Sequence, residues 1–222
     1  MNLPSRIQGV FFEPRTTLRA VAAKPVWTDV LAVTLIALAV YTIFIMPYAS
    51  REAFSHYQAQ GQEAPDLSRM PKWLLVIPVL IGLFSMTAVV FFSSGVVYLM
   101  GRLFSPHGEF KAVLAVYLHA GLVDALLGNA VRLAVALTKK SALVVTGPAM
   151  FFPEIPPRSF LFLALGSFDF FRLWAFGILA CGLAAVFKVE MKKAFLIAFL
   201  SWLALASISV GLGGLSMAVA RR

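Results

Sequence analysis

The stretch TDVLAVTLIALAVYTIFIMPY, residues 28–48, is almost wholly apolar, with Trp27 and Tyr48 at its two edges. Rings with an apolar body and a polar tip favour the headgroup region of a bilayer, so the pair reads as two interfacial anchors. A helix needs roughly 20 apolar residues to cross a hydrocarbon layer about 30 Å thick, and this run has that length. Four further stretches repeat the pattern, at residues 73–101, 112–138, 167–187 and 194–220. The expectation is an all-α integral membrane protein, a bundle of five spanning helices. Those spans that exceed the minimum length imply tilt or interfacial turns, and Pro78 is expected to kink or delay the second.

Composition agrees. Of 222 residues, 60% are hydrophobic and 13% charged, whereas a soluble domain carries charge on about a quarter of its residues. A water-facing surface cannot be built from so few charges without large exposed apolar patches. The net charge of +9 sits scattered at segment ends and on no single basic face. It therefore points to anionic lipid headgroups and away from nucleic acid. Cys181 is the single cysteine, which excludes a disulfide framework and a thiolate metal cluster. Residues 1–24 lack a continuous apolar core and a small-residue cleavage site, so the first span is expected to stay attached as an anchor.

The connections divide the chain into residues 1–26, an N-terminal segment, and 27–222, a transmembrane domain. Residues 51–72 are polar, with Gly61, Pro65 and Pro71, and read as a solvated loop. RLFSPHGEFK (residues 102–111) and KVEMKK (188–193) are short, so spans two and three form one hairpin and spans four and five another. In residues 139–166 the proline spacing of FFPEIPP (151–157) forbids a continuous helix, and its aromatics suggest a course along the membrane surface. Before the first span, Leu3, Ile7, Val10 and Phe11 recur at helical spacing, and Pro14 restarts a second segment with Leu18, Val21 and Ala22 beside Arg15, Arg19 and Lys24. This is the pattern of interfacial amphipathic helices; packing on the protein's own loops is the alternative. Lys and Arg number nine on the N-terminal side of the spans and eight opposite, too even for charge bias to set orientation. The compact N-terminal cluster favours that end inside.

Motifs for phosphate cradling, zinc-dependent hydrolysis and a serine nucleophile elbow are lacking from the sequence. No cofactor is expected. His56, His107 and His119 lie on separate segments without paired ligand spacing, so no metal is expected either. The glycines of GLGG (211–214), with Ser207 and Ser209, and Gly177 with Cys181, suit close helix packing. What remains is polarity at membrane depth: Asp124, Asn129 and Arg132 in span three, and Asp169 and Arg172 in span four, with His119 placed to bond across helices. An unpaired charge there costs about 2.5 to 3.5 kcal/mol on insertion scales, so partners are expected. Arg132 lies about 9 Å from the far end of its span, Arg172 roughly 8 Å inside Ser167, and Asp124 about 21 Å deep. Ser167 is a plausible N-cap for span four, with Asp169 in its first turn. The preferred arrangement has Arg132 reaching Asp169, with Arg172 snorkelling or joining the pair. Asp124 either centres an ion, proton or substrate path or is protonated and bonded to Asn129 or His119.

Three places resemble the Yip1-domain membrane proteins, particularly their bacterial members. One is FFEPRTTL (residues 11–18), followed by Pro25 and Trp27. Another is the hairpin from Gly101 to Ala115 with its Phe110-Lys111 start. The third is FDFFRLW (168–174), leading to Gly182-Leu183-Ala184, Lys192-Lys193-Ala194 and Trp202. The resemblance covers nearly the whole chain. It implies a five-span bundle in a bacterial inner (plasma) membrane, N-terminus cytoplasmic and C-terminus opposite. Some bacterial relatives are accessory subunits of ABC-type export systems; the eukaryotic ones are linked to Rab GTPases, but their cytosolic tail and Asp-Leu-Tyr-Gly-Pro motif are missing here. The resemblance offers no catalytic residue to carry over. The expected function is thus non-catalytic, an interaction or accessory subunit of a transport or export assembly with a membrane-protein partner, a homo-oligomer staying open. The alternative is a small transporter or permease with a polar path around Asp124.

Overall fold

The computed structural model describes residues 1–59, 61, 71, 76–156 and 159–220. Two short helices open the chain, α1 (Leu3–Phe12) and α2 (Pro14–Ala23), each with a proline in its first turn, the position where the missing N–H costs nothing. Then follow α3 (Thr28–Ala59), α4 (Ile77–Phe104), α5 (Phe110–Leu122), a π-helical turn (Val123–Gly128), α6 (Asn129–Lys139), a 3₁₀ turn (Pro148–Phe151), α7 (Phe160–Gly166), α8 (Phe170–Phe187) and α9 (Met191–Ala220). Among the described residues five helices are long and apolar enough to cross a membrane, with α5, the π turn and α6 making one of them. The protein is an all-α multi-pass membrane protein.

The middle span is the axis of the bundle. Val113, Leu114, Ala115, Val116, Leu118, Leu122 and Val123 are all buried in it. Of its most apolar window 61% is buried, against 11% for α3, which leans on the outside. At the N-terminal side the two hairpin loops lock together. The buried Phe187 ring fills the space above Gly101 and Gly108, and Ser105 Oγ–H donates to the Phe187 carbonyl at 2.6 Å.

Several boundaries move from the sequence reading. Helix α3 does not stop near Tyr48 but runs through Pro47 to Ala59. Its REAFSHYQA extension (51–59) is rich in helix formers. Gly61, with φ +68°, follows it. The extension is tied down: Glu52 Oε1 accepts from Ser141 Oγ and the Ala142 N–H, at 2.6 and 2.9 Å. The second helix is described from Ile77, with Pro78 in its first turn; the expected start at Trp73 lies outside the described residues. The expected fourth span, 167–187, starts three residues late, as α8 at Phe170, and a separate short helix, α7, precedes it and ends at Gly166.

The N-terminal helices pack on the bundle, their Val10, Leu18 and Val21 buried with α5 and α8 residues in one core, while Arg15, Arg19 and Lys24 stay exposed. The segment thus packs against the protein's own helices, where the alternative expected its loops. The small-residue expectation divides as well. A Cβ built at Gly213 would lie 2.7 Å from Leu163 Cδ1, so α7 and α9 approach closely there, whereas one built at Gly177 or Gly211 would meet nothing within 4 Å.

Candidate functional site: a charge cluster between two helix irregularities

The π turn decides which side chains meet. Asn129 N–H donates to the Asp124 carbonyl, a five-residue step. In an unbroken α-helix, residues eight apart differ by about 80° around the axis. One extra residue absorbed by the turn brings them to within roughly 20° of the same face. Side chains on a helix tilt toward its N-terminus, so Arg132 reaches back to Asp124. Its Nη2 lies 2.6 Å from Asp124 Oδ1. The guanidinium is therefore drawn inward, not out to the nearer membrane edge.

The second irregularity supplies the other carboxylate. Asp169, and not Ser167, is the N-cap of α8, because Gly166 and Ser167 close α7 and the chain must restart. Its Oδ1 accepts from the N–H groups of Phe171 and Arg172 at 2.9 and 3.2 Å, which satisfies two of the free donors of a helix start. The same Oδ1 lies 2.9 Å from Arg132 Nη2. Thr146 completes the join: its hydroxyl accepts from Arg132 Nε at 3.1 Å and donates to Asp169 Oδ2, and its carbonyl accepts from the Phe170 N–H at 3.2 Å. Asn129 Oδ1 accepts from Arg132 Nη1 at 3.1 Å. The Phe171 ring lies 5.6 Å from the guanidinium carbon, within cation–π range. Gly128 lets these parts close up, since a Cβ there would stand 2.7 Å from Asp124 Oδ1 and 3.0 Å from Arg132 Nη1.

Arg132 is thus bracketed by two carboxylates, with its side chain 12% exposed. Arg172 is attached only loosely. Its Nε lies 3.8 Å from Asp124 Oδ2, its side chain is 59% exposed, and among the described residues its terminal nitrogens make no hydrogen bond. The Asp124 carboxylate therefore faces two arginines, and among the described contacts it bonds to neither Asn129 nor His119.

His119 belongs elsewhere. It is fully buried; its Nδ1 lies 2.7 Å from the Ala115 carbonyl and its Nε2 3.2 Å from Arg6 Nη1. A carbonyl cannot donate and a guanidinium cannot accept. The ring is thus neutral, with its proton on Nδ1. Arg6 in turn pairs with Asp29 at the start of α3. Neither Arg6 nor Asp29 is among the residues singled out from the sequence above. An acid in the first turn of α3 was the available signal.

Two cavities adjoin the cluster. One, about 320 Å³, is lined by Tyr41, Val144, Thr146, Gly147, Asp169 and others. The larger, about 620 Å³, is walled by residues of all five spanning helices, among them Leu38, Phe92, Tyr117, Phe176 and Leu212. Asn129, Arg132 and Arg172 line both. The chain matches the model of the Yip1 domain over residues 9–212. It belongs to the Yip1-domain family. Comparison with curated proteins and with solved structures finds no significant match. In this Yip1-domain protein the matched region takes in the charge cluster, the first four spans and α9 as far as Leu212, together with α2 and the last residues of α1.

Proposed function

We propose that this Yip1-domain protein acts without catalysis, as an interaction or accessory subunit of a membrane transport or export assembly. We place it in a bacterial plasma membrane, with the N-terminal helices in the cytoplasm and the end of α9 on the opposite side. The observation that carries this reading is the pairing of both intramembrane acids with Arg132. Asp124 and Asp169 hold Arg132 between them, and hydroxyl and backbone donors take up the remaining carboxylate valence of Asp169. Such a cluster clamps α6, the 146 loop and α8 together, and its acids are occupied, not poised as bases. The outer face of α3 supplies a surface for a partner: Ile36, Val40, Ile43 and Phe44 form an exposed apolar stripe at helical spacing. The reading is tested by photo-crosslinking from Ile36 and Ile43 in native membranes, where adducts with a transport or export subunit are expected. Crosslinks to lipid alone, together with solute flux by the purified chain, would overturn it.

A second reading, a small transporter or permease with its path around Asp124, draws on the two cavities that meet at Asn129, Arg132 and Arg172. Asp124→Asn separates the two: in a reconstituted flux assay it abolishes transport by a permease and leaves a scaffold's assembly intact.

A further inference from the structure

The larger cavity has the make-up of a ligand site. At about 620 Å³ it falls within the roughly 300–1,000 Å³ of small-molecule sites. Its lining is mostly apolar, with Val89 and Phe92 from α4 and Leu205, Ile208 and Leu212 from α9, and its charged groups are Asp124, Arg132 and Arg172. The charge there is not balanced. Two arginines face two aspartates, but Asp169 also caps α8, whose N-terminus carries about half a positive charge. Arg172, in the first turn of the same helix, is the cation that this leaves under-compensated, its one carboxylate contact 3.8 Å long.

Position narrows the ligand further. Arg172 lies fifteen residues before Phe187, the last residue of α8, which is about 22 Å along the helix. With Phe187 near one edge of a ~30 Å core, Arg172 sits about 8 Å below the opposite headgroup layer, within reach of it by snorkelling.

We infer that the cavity binds an anionic phospholipid, its phosphate on the Arg172 guanidinium and one acyl chain between α4 and α9. The site asks for both parts of the molecule: a free phosphate fills none of the apolar volume, and a zwitterionic lipid brings a second cation to a cluster already positive. This inference stands apart from the accessory-subunit reading, because a scaffold and a permease would hold such a lipid equally.

The test uses the full chain reconstituted in vesicles of equimolar phosphatidylglycerol and phosphatidylcholine, extracted in mild detergent, with retained lipid counted by native mass spectrometry. The wild type is expected to keep phosphatidylglycerol over phosphatidylcholine by about tenfold, the worth of one charged hydrogen-bonded contact. Arg172→Gln should erase that preference and Arg172→Lys keep most of it. Ala206→Phe, which fills the cavity and leaves the charges untouched, should reduce retention of both lipids. Variants are compared at matched monodispersity and melting temperature, so a misfolded Arg172→Gln leaves Ala206→Phe to decide. Retention unchanged by Ala206→Phe would mean lipid held only around the outside and would overturn the proposal. Equal competition by inorganic phosphate or by oleate would overturn it too, by showing that one part of the phospholipid suffices.

Discussion

Removing the Arg132 cation is the most direct test of the clamp. In Arg132→Gln the carboxylates of Asp124 and Asp169 lose the charge they share, with side chains only 28% and 10% exposed. Breaking a buried pair by deleting one partner costs about 3–5 kcal/mol, since the surviving charge stays desolvated. Asp169→Asn is milder. Asparagine caps a helix as well as aspartate does, so α8 keeps its start while the Thr146 hydroxyl loses its acceptor and the contact with Arg132 weakens, together by about 1.5–3 kcal/mol. The double variant removes the cation together with one of its anions, and should be no worse than Arg132→Gln alone. The sum of the single effects is about 4.5–8 kcal/mol, so the cycle should show a coupling of roughly 1.5–3 kcal/mol. The assay is reversible unfolding in bicelles, followed through Trp202 and Trp174, whose rings lie 5.0 and 6.1 Å from those of Phe168 and Phe170, the two neighbours of Asp169. An Arg132→Gln protein within about 0.5 kcal/mol of wild type, or strict additivity in the double variant, would refute the reasoning.

Other expectations follow from the same geometry. Gly101→Ala places a methyl 2.0 Å from the buried Phe187 ring, so it should destabilise by about 1–3 kcal/mol, and adding Phe187→Leu should restore most of the loss in a thermal melt. Arg6→Ala unlatches α1 from Asp29 and His119; amide exchange in residues 3–12 should accelerate about tenfold or more, with α5 unaffected. For orientation, single cysteines introduced as Ser5→Cys and Ser141→Cys in a Cys181→Ser background should label oppositely. An impermeant maleimide applied outside intact cells is expected to reach position 141, and position 5 only after permeabilisation.

Hydrophobic period and length made the five spans legible, because a lipid solvent leaves little choice: twenty apolar residues must bury their own backbone donors as a helix. The ends were less legible, for reasons of local chemistry. Residues 51–59 are polar enough to suggest a loop, yet their helix propensity and the Glu52 contacts with the 141–142 backbone and hydroxyl extend α3 well past its apolar part. The N-terminal helices carried an amphipathic signature that fits a membrane surface and a protein surface equally. Burial of Arg6 and Val10 is a tertiary fact, and composition alone does not distinguish the two.

The charge cluster shows where sequence reasoning stops and why. Arg132 and Asp169 pair across helices, and depth arithmetic alone places both toward the same end of their spans. Asp124 was set apart by that arithmetic, because a rise of 1.5 Å per residue assumes an unbroken α-helix. The π turn at Val123–Gly128 violates the assumption within the segment that matters. Nothing in VDALLG announces such a turn; what sustains it is the contact it permits. A regular helix would swing Asp124 away from Arg132, leaving an acid and a guanidinium each to be desolvated without the other, at a few kcal/mol apiece. The irregular turn costs less than that, and so does the broken helix before α8, whose free N–H groups Asp169 and Thr146 take up. Each break in the backbone is stable because the other lies opposite and supplies its counter-charge. That dependence is also why Thr146, an ordinary loop residue by sequence, holds the centre: among the described residues it is the one hydroxyl that touches Arg132 and Asp169 at once.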